Sequence, residues 1–161
     1  EILQYAKNKG EKLFMLILDG IEDPHNLGSI IRVAECAGAH GIVIPSRRNV
    51  GVNATVLRTS AGAVNHMRIA SVTNINDTIR ALKDDFVNVY CADMNGKNLY
   101  ESHLKEDTAI VIGSEGFGVK QLTAKLCTDA LSIPQFGKVN SLNASVACGV
   151  ICYEVVRQRN V

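Results

Sequence analysis

Five short apolar segments, each bounded by Gly, Pro or Asp, alternate along this chain with stretches of mixed polarity. The segments cover residues 13–18, 41–45, 87–93, 108–113 and 130–134. Short runs that are apolar at successive positions and rich in β-branched side chains are typical of parallel strands buried on both faces. The chain is therefore predicted to contain a parallel sheet.

Helical patterns lie between the predicted strands. Residues 27–37 carry an apolar stripe and stop at Gly38, and residues 76–84 form a second amphipathic helix. The last helix, residues 141–158, is apolar nearly all round, with small residues such as Ala147 and Gly149 that permit close approach of another backbone. This helix should pack both on the sheet and on a partner chain. We predict an α/β fold with helices on both faces of a parallel sheet, and a dimer.

Composition is ordinary for a globular domain. The chain has 161 residues, 47% hydrophobic and 20% charged, with a net charge of +1, which gives little help to the binding of a polyanion. We expect one domain over residues 12–161, with residues 1–11 as a connector from a missing upstream domain. The absence of a signal peptide or spanning segment leads us to expect a cytoplasmic protein without a membrane partner.

The cysteines and histidines show no metal-binding pattern. Five cysteines without a Cys-x-x-Cys pair argue against disulfides and zinc, so buried thiols are expected, and Cys148 and Cys152 share one helix face. The four histidines have no ligand spacing with one another or with cysteine, so they are interpreted as structural or surface residues and no metal is expected.

Three polar loops follow predicted strands, where ligands bind in open α/β sheets. The first, residues 19–32, runs into a helix, and a capped helix start explains Asp23, Pro24 and Asn26 but not Arg32. Because Arg32 follows two apolar residues, we expect it to be partly covered. Taken alone, Arg32 could be functional, or solvated or simply paired as most arginines are.

The second loop, residues 113–118, contains three glycines that bring the backbone close to a ligand or simply make a tight turn. The spacing is neither G-x-G-x-x-G nor a Walker loop, and the Glu115 carboxylate would repel a pyrophosphate. In the third loop, residues 133–143, the polar residues Asn140, Ser141 and Asn143 exceed the single cap that a helix needs. This surplus indicates a site, although backbone groups in a deep loop could also use it.

Together the three loops resemble the three motifs of the SpoU, or TrmH-type, RNA 2′-O-ribose methyltransferases of the SPOUT superfamily. The matching stretches are DPHNLG at 23–28 with Arg32, IGSEGFG at 112–118, IP at 133–134 and SLN at 141–143, in the order and approximate spacing of the family. The resemblance covers most of the chain. It implies a SPOUT α/β-knot with a deep C-terminal trefoil knot, an obligate homodimer, and S-adenosyl-L-methionine bound in the knot without a metal.

The resemblance also implies roles for individual residues. Backbone groups of Gly113, Ile133 and Leu142 would hold the adenosine part of the cofactor, and Gly118 and Pro134 would shape the pocket. The reactive centre around the target ribose would consist of Asn26, Arg32, Glu115, Ser141 and Asn143. Because a guanidinium stays charged in proteins, we interpret Arg32 as a phosphate clamp that stabilises the developing alkoxide rather than as a base.

The RNA substrate follows from a finer resemblance. Residues 58–63 resemble a segment of the branch that methylates guanosine in 23S ribosomal RNA, although Arg68-Ile69 stands where members often carry a proline. Members of this branch often have a small N-terminal RNA-binding domain. Candidate phosphate contacts are Arg47, Arg48, Arg58, Lys138, Arg157 and Arg159.

Four alternatives are kept. The substrate could be transfer RNA, or a base nitrogen as in other SPOUT branches, although Asn26 and Arg32 favour ribose. The chain could be a non-catalytic RNA-binding or cofactor-binding module, against which Arg32, Glu115 and Asn143 argue. A nucleotide-dependent Rossmann enzyme is disfavoured by the glycine spacing.

Overall fold

The described part of the chain, residues 1–46, 53–114, 118–139 and 141–161, forms in this computed structural model a six-stranded parallel sheet with helices on both faces. The strands are β1 (Phe14–Asp19), β2 (Gly41–Pro45), β3 (Ile69–Val72), β4 (Asn88–Asn98), β5 (Thr108–Gly113) and β6 (Asp129–Ser132). The helices are α1 (Ile2–Asn8), α2 (Pro24–Cys36), α3 (Ala54–Thr59), α4 (Ile75–Asp84), α5 (Gln121–Leu126) and α6 (Ala144–Arg159). The strand order is β3-β2-β1-β5-β4-β6.

The centre of the sheet is buried on both sides, as the apolar runs predict. All six residues of β1 are buried, and successive side chains point to opposite faces of the sheet. Leu16 and Leu18 belong to one hydrophobic cluster, and Met15 and Ile17 to a second. The sheet therefore has two separate apolar faces that must both be covered.

Each face has its own helices. On the first face, α2 and α6 contribute Ile30, Ile31 and Ile151 to the core, while on the second α1 and α4 contribute Ala6 and Ile79. The predicted α/β architecture, a parallel sheet between two helical layers, is confirmed. No helix in the described ranges is long and apolar enough to span a bilayer.

Two strands have the predicted bounds, and β3, α1 and α3 are among the elements that the sequence did not predict. Strands β2 and β5 have the predicted bounds. Strand β3 was missed because it is a four-residue edge strand with a serine in its centre, so it lacks a continuous apolar run. Helix α1 lies within the segment expected to be a connector, but Ile2 and Ala6 are buried against the second face of the sheet.

The cysteines are free thiols in the structure, with one correction. Four are buried as predicted, and the Sγ atoms of Cys148 and Cys152 lie 3.8 Å apart inside the first cluster. The fifth, Cys36, is exposed, because it lies on the side of α2 opposite the buried stripe of Leu27, Ile30, Ile31 and Ala34. Among the residues that the structure describes, no group of three or more His, Cys, Asp or Glu side chains is placed to hold a metal ion.

Candidate active site

The carboxyl ends of β5, β4 and β6, neighbours in the sheet, open onto a cavity of about 650 Å³. In open α/β sheets, ligands bind beyond the carboxyl ends of the parallel strands, at this edge of the sheet. Apolar side chains of Ile112, Leu131 and Ile151 form part of its wall. The volume lies within the roughly 300–1,000 Å³ range of small-molecule sites.

Both described ends of the second loop lie at this cavity. Gly113 and Gly118 both line it, and the Gly118 amide donates a hydrogen bond of 2.7 Å to the Ser114 carbonyl, which closes the loop at its base. A Cβ at Gly113 would collide with the Gly118 carbonyl, and Gly118 has a φ of +66°. Glycine is therefore required at both positions. Glu115 lies in residues 115–117, outside the described residues.

The base of this loop is tied to the end of β1. The Asp19 carboxylate is buried and accepts a hydrogen bond of 3.0 Å from the Lys120 amide, just beyond Gly118. The Lys120 ammonium lies 3.7 Å from the other carboxylate oxygen. Because β1 and β5 pair with Asp19 opposite Gly113, this contact fixes where the second loop returns to the sheet.

The third loop forms the opposite wall. Ile133, Ser141 and Leu142 line the same cavity as the glycine loop. Pro134 lies next to Ile133 without lining the cavity itself. Five of the residues predicted for the reactive centre and the cofactor, from two distant parts of the sequence, thus share one cavity.

The first and third loops are joined by an amide pair. The Asn143 Nδ2 donates a hydrogen bond of 3.1 Å to Asn26 Oδ1. The Asn143 Oδ1 caps α6 by accepting hydrogen bonds from the Ser145 and Val146 amides at 2.9 and 3.3 Å. Asn26 is in the first turn of α2, and Ala144, next to Asn143, lines the cavity. The beginning of α2 is therefore held against the beginning of α6 beside the cavity.

Arg32 is placed differently from these residues. It lies six residues after Asn26 on α2, which is about 9 Å along the helix and roughly 120° around it. Its side chain is exposed rather than partly covered, makes no hydrogen bond or ion pair with other described residues, and does not line the cavity. The structure thus leaves the guanidinium available to a partner outside the described chain.

The candidate phosphate contacts are scattered. Arg58 and Lys138 are exposed, and Arg47 and Arg48 lie within residues 47–52, outside the described residues. Arg157 forms a two-point ion pair with Glu154. The structure gives Arg159 a structural role instead.

Arg159 lies at the amino end of the sheet, far along α6 from the cavity. Its guanidinium donates to the backbone carbonyls of Lys12, Leu13, Leu104 and Glu106 at 2.8–3.0 Å. These bonds tie α6 to the beginning of β1 and to the chain before β5. A guanidinium with this many internal acceptors has little capacity left for RNA.

One part of the cavity wall was missed by the sequence analysis. Asp93, Met94 and Asn95 line the cavity from β4. They follow directly on the apolar part of the strand, and Asn95-Gly96 is a turn dipeptide. The rule that selected the other three loops, polar residues at the carboxyl end of a strand, would have selected this one as well.

Fold and site together define a class of protein: a parallel α/β domain with a small-molecule cavity built from glycine-bearing loops at one edge of the sheet. The SpoU rRNA Methylase family model matches residues 13–153, and the chain belongs to this family. The expectation drawn from the three motifs is thereby confirmed at the level of the family.

Similar proteins are named as RNA methyltransferases. A Bacillus subtilis protein, named as a TrmH family tRNA/rRNA methyltransferase (YacO), is 45% identical over 99% of this chain and 65% of its own length. The 23S rRNA (guanosine-2′-O-)-methyltransferase RlmB of Ralstonia nicotianae is 43% identical over 100% of this chain and 68% of its own length. The chain thus spans about two thirds of these relatives.

Two solved structures share the fold. The SpoU methyltransferase AviRb from Streptomyces viridochromogenes, in complex with AdoMet, superposes with a TM-score of 0.84 at 29% identity, covering 92% of this chain and 58% of AviRb. An AdoMet-bound rRNA methyltransferase from Sinorhizobium meliloti gives a TM-score of 0.85 at 30% identity, covering 91% of this chain and 57% of that protein.

Proposed function

We propose that this chain transfers a methyl group from S-adenosylmethionine to a ribose 2′-hydroxyl of RNA, with ribosomal RNA favoured over transfer RNA. The observation that carries the proposal is the convergence of the second and third loops on one cavity, with the Asn26–Asn143 pair beside it. Solved family members with AdoMet bound support the choice of cofactor.

The cavity fits this cofactor in size and chemistry. Its wall offers apolar side chains for an adenine ring and the backbone of Gly113, whose missing Cβ lets the Gly118 end of the same loop close against it. Gly113, Ile133 and Leu142 would hold the adenosine part through backbone groups, while Gly118 and Pro134 shape the surrounding loops. When bound, the cofactor supplies an electrophilic methyl group on a sulfonium.

The protein's contribution is to orient the hydroxyl and stabilise its charge. In-line displacement requires the attacking oxygen at near-attack distance; the methyl–sulfur bond would break as the methyl–oxygen bond forms, and the hydroxyl proton would leave to solvent. Asn26, Ser141 and Asn143, together with Glu115, would orient the ribose, and the capping bonds of Asn143 hold its amide in one position. An exposed Arg32 suits contact with the adjacent phosphate and stabilisation of the developing alkoxide.

Two finer features of the fold belong to the same proposal. The first is a C-terminal trefoil knot. The chain leaves edge strand β6 and returns in α6, which packs on α2 and contacts β5 on the other side of β4. The chain between β6 and α6 thus crosses β4, and its third loop faces the second loop across the cavity. This path supports a knot in which the C-terminal segment passes through a loop of the preceding chain.

The second feature is a homodimer that uses α6. Val146 and Tyr153 of α6 are 51% and 50% exposed and lie two turns apart on one side of the helix, and Leu142, just before α6, is 37% exposed. Exposed apolar side chains grouped on one helix are typical of an interface. A Val146→Glu variant is expected to shift the mass measured by light scattering from dimer to monomer.

RNA affinity would come partly from outside this chain. The chain spans 65% of the Bacillus subtilis relative, and we propose that the remainder includes an N-terminal RNA-binding domain preceding α1. Because a net charge of +1 gives little overall attraction to a polyanion, such a domain would supply much of the affinity.

The function is tested by mapping the methylated nucleotide. The chain, alone and in an N-terminally extended form, is incubated with unmodified ribosomal RNA, transfer RNA and methyl-labelled cofactor, and the digested nucleosides are identified. Label in a 2′-O-methylated nucleoside of ribosomal RNA is expected. Label on a base would overturn the ribose assignment, and cofactor binding without label in either RNA would favour a non-catalytic module.

The role of Arg32 is tested separately. Arg32→Ala should abolish turnover and leave the dissociation constant of the cofactor nearly unchanged, because Arg32 does not line the cavity. A large loss of cofactor binding would count against a role confined to the RNA.

A further inference from the structure

Strand β4 leaves the sheet for four residues and then rejoins it. In its pairing with β6, Ala92 and Lys97 both lie opposite Leu131, so residues 93–96 have no counterpart in the ladder. We call these four residues the β4 excursion. An insertion of this kind bends a strand away from its partner and re-aims its side chains, and such irregularities are common next to active sites.

The β4 excursion is anchored tightly at its far end. A Cβ at Gly96 would lie 2.5–2.7 Å from backbone atoms of Ala130 and Leu131, so only glycine allows this approach. The Ser132 hydroxyl donates to the Gly96 carbonyl at 3.0 Å. The Lys97 ammonium lies 2.6 Å from an Asp129 carboxylate oxygen and holds the pKa of Asp129 below its usual range. These contacts fix the excursion to β6.

The near end of the excursion carries an oriented carboxylate. Asp93 Oδ1 accepts a hydrogen bond of 2.9 Å from the Asn95 amide, which closes a local turn and sets the direction of the side chain. One carboxylate oxygen is thereby used for orientation. Since an ionised carboxylate offers about four acceptor positions, Asp93 retains capacity for further donors.

Asp93 lies between the glycine loop and the third loop. Strand β4 lies between β5, which leads into the glycine loop, and β6, which leads into the third loop. Asp93 lines the same cavity as both. Among the described residues of the cavity wall, Asp93 is the only one with an ionisable side chain. A carboxylate in an otherwise neutral wall needs a donor or a cation when a ligand excludes water.

We propose that Asp93 binds the cofactor's ribose, accepting hydrogen bonds from its 2′- and 3′-hydroxyls, and that the β4 excursion exists to hold it there. This inference rests on the proposed function. Two adjacent hydroxyls match the two oxygens of one carboxylate, and an acidic residue at the end of a parallel strand beside a glycine loop binds a ribose in the same way in dinucleotide-binding sheets. The competing partner of the same carboxylate is the α-ammonium group of the methionine part.

The test measures binding of three probes by calorimetry to the wild-type chain and to Asp93→Asn. The probes are S-adenosylmethionine, 5′-methylthioadenosine, which lacks the amino-acid part, and 2′,3′-dideoxy-5′-methylthioadenosine, which also lacks the diol. Asparagine can still accept the Asn95 amide through Oδ1, so the turn should be preserved. Asp77→Asn, the same change at an exposed residue of α4, is the matched control.

Loss of a charge-assisted interaction should weaken binding of the first two probes about 10- to 100-fold in Asp93→Asn, with no comparable loss for the dideoxy probe. Weakened S-adenosylmethionine with unchanged 5′-methylthioadenosine would overturn the ribose assignment in favour of the ammonium. If each probe binds the wild type and Asp93→Asn with the same affinity, the inference is overturned and the proposed function is left intact. Failure of the wild-type chain to bind any probe would overturn both.

Discussion

The Asn26–Asn143 hydrogen bond provides a quantitative test of how the first and third loops meet. Asn143→Ala removes the cap of α6, worth about 1 kcal/mol, and the bond to Asn26, worth about 1 kcal/mol. The expected loss in the free energy of unfolding is therefore about 2 kcal/mol. In a chain of 161 residues this lowers the melting temperature by roughly 4–8 °C.

Asn26→Ala should cost less, because it removes only the shared hydrogen bond. The expected loss is about 1 kcal/mol, reduced by a few tenths because alanine has the higher helix propensity. The free energy of unfolding of the double variant should then lie within a few tenths of a kcal/mol of that of Asn143→Ala. The coupling energy from the double-mutant cycle is thus expected to be about 1 kcal/mol.

The assay is urea-induced unfolding of the wild type, both single variants and the double variant. Asn143→Ser is the control for the cap, because its hydroxyl oxygen still accepts a backbone amide at the beginning of α6 but its shorter side chain does not reach Asn26. It should retain the cap and lose the coupling. Additive effects of the two alanine substitutions, within about 0.3–0.5 kcal/mol, would refute the contact between the two loops.

Three further predictions concern single substitutions. Gly113→Ala should weaken S-adenosylmethionine binding at least tenfold in calorimetry, because its Cβ collides with the Gly118 backbone. Arg159→Ala should lower the free energy of unfolding by about 3 kcal/mol in urea titrations and leave RNA affinity unchanged, because its guanidinium bonds four backbone carbonyls. The Arg157 guanidinium and the Gln158 amide hold the pKa of Glu154 below its ordinary 4.5, so the stability from this carboxylate is present above pH 4.5 and is lost as the pH falls through the lowered folded-state pKa. Glu154→Gln should therefore show a shallower acid loss of stability than the wild type.

Each of these predictions has an outcome that contradicts it. Wild-type cofactor affinity in Gly113→Ala would mean that the glycine loop does not form the wall of the binding site. Weaker RNA binding by Arg159→Ala, at unchanged stability, would restore this residue to the list of phosphate contacts. An acid-unfolding curve of Glu154→Gln parallel to that of the wild type would show that the Glu154 ion pair contributes no pH-dependent stability.

The sequence was most informative where local pattern and burial coincide. Strands β2 and β5 are continuous apolar runs, and their bounds followed directly from the residues. Edge strand β3 is only partly buried and contains the exposed Ser71, so its pattern is not distinct from a loop. Helix α1 was missed for a similar reason, because two buried residues, Ile2 and Ala6, are too few for a recognisable stripe.

The site was predictable in part. The sequence shows which residue types follow each strand, but it does not show which of them contact one another in the folded chain. Gly113, Gly118, Ser141 and Leu142 were selected from loops after strands, and the structure brings them to one cavity. No local pattern indicates that Arg159 meets carbonyls from two other segments, because those contacts exist only after the chain has folded. Asp93 was predictable from its place at a strand end, and was missed because the predicted strand was extended through it.

The most direct measurement of the proposed site is a crystal structure of the chain with S-adenosylhomocysteine. The ligand is expected between the glycine loop at Gly113 and Gly118 and the third loop at Ile133 and Leu142, within the cavity of about 650 Å³. A ligand bound elsewhere, for instance in the cavity of about 510 Å³ lined by Glu11 and His40 at the amino end of the sheet, would contradict the proposed site.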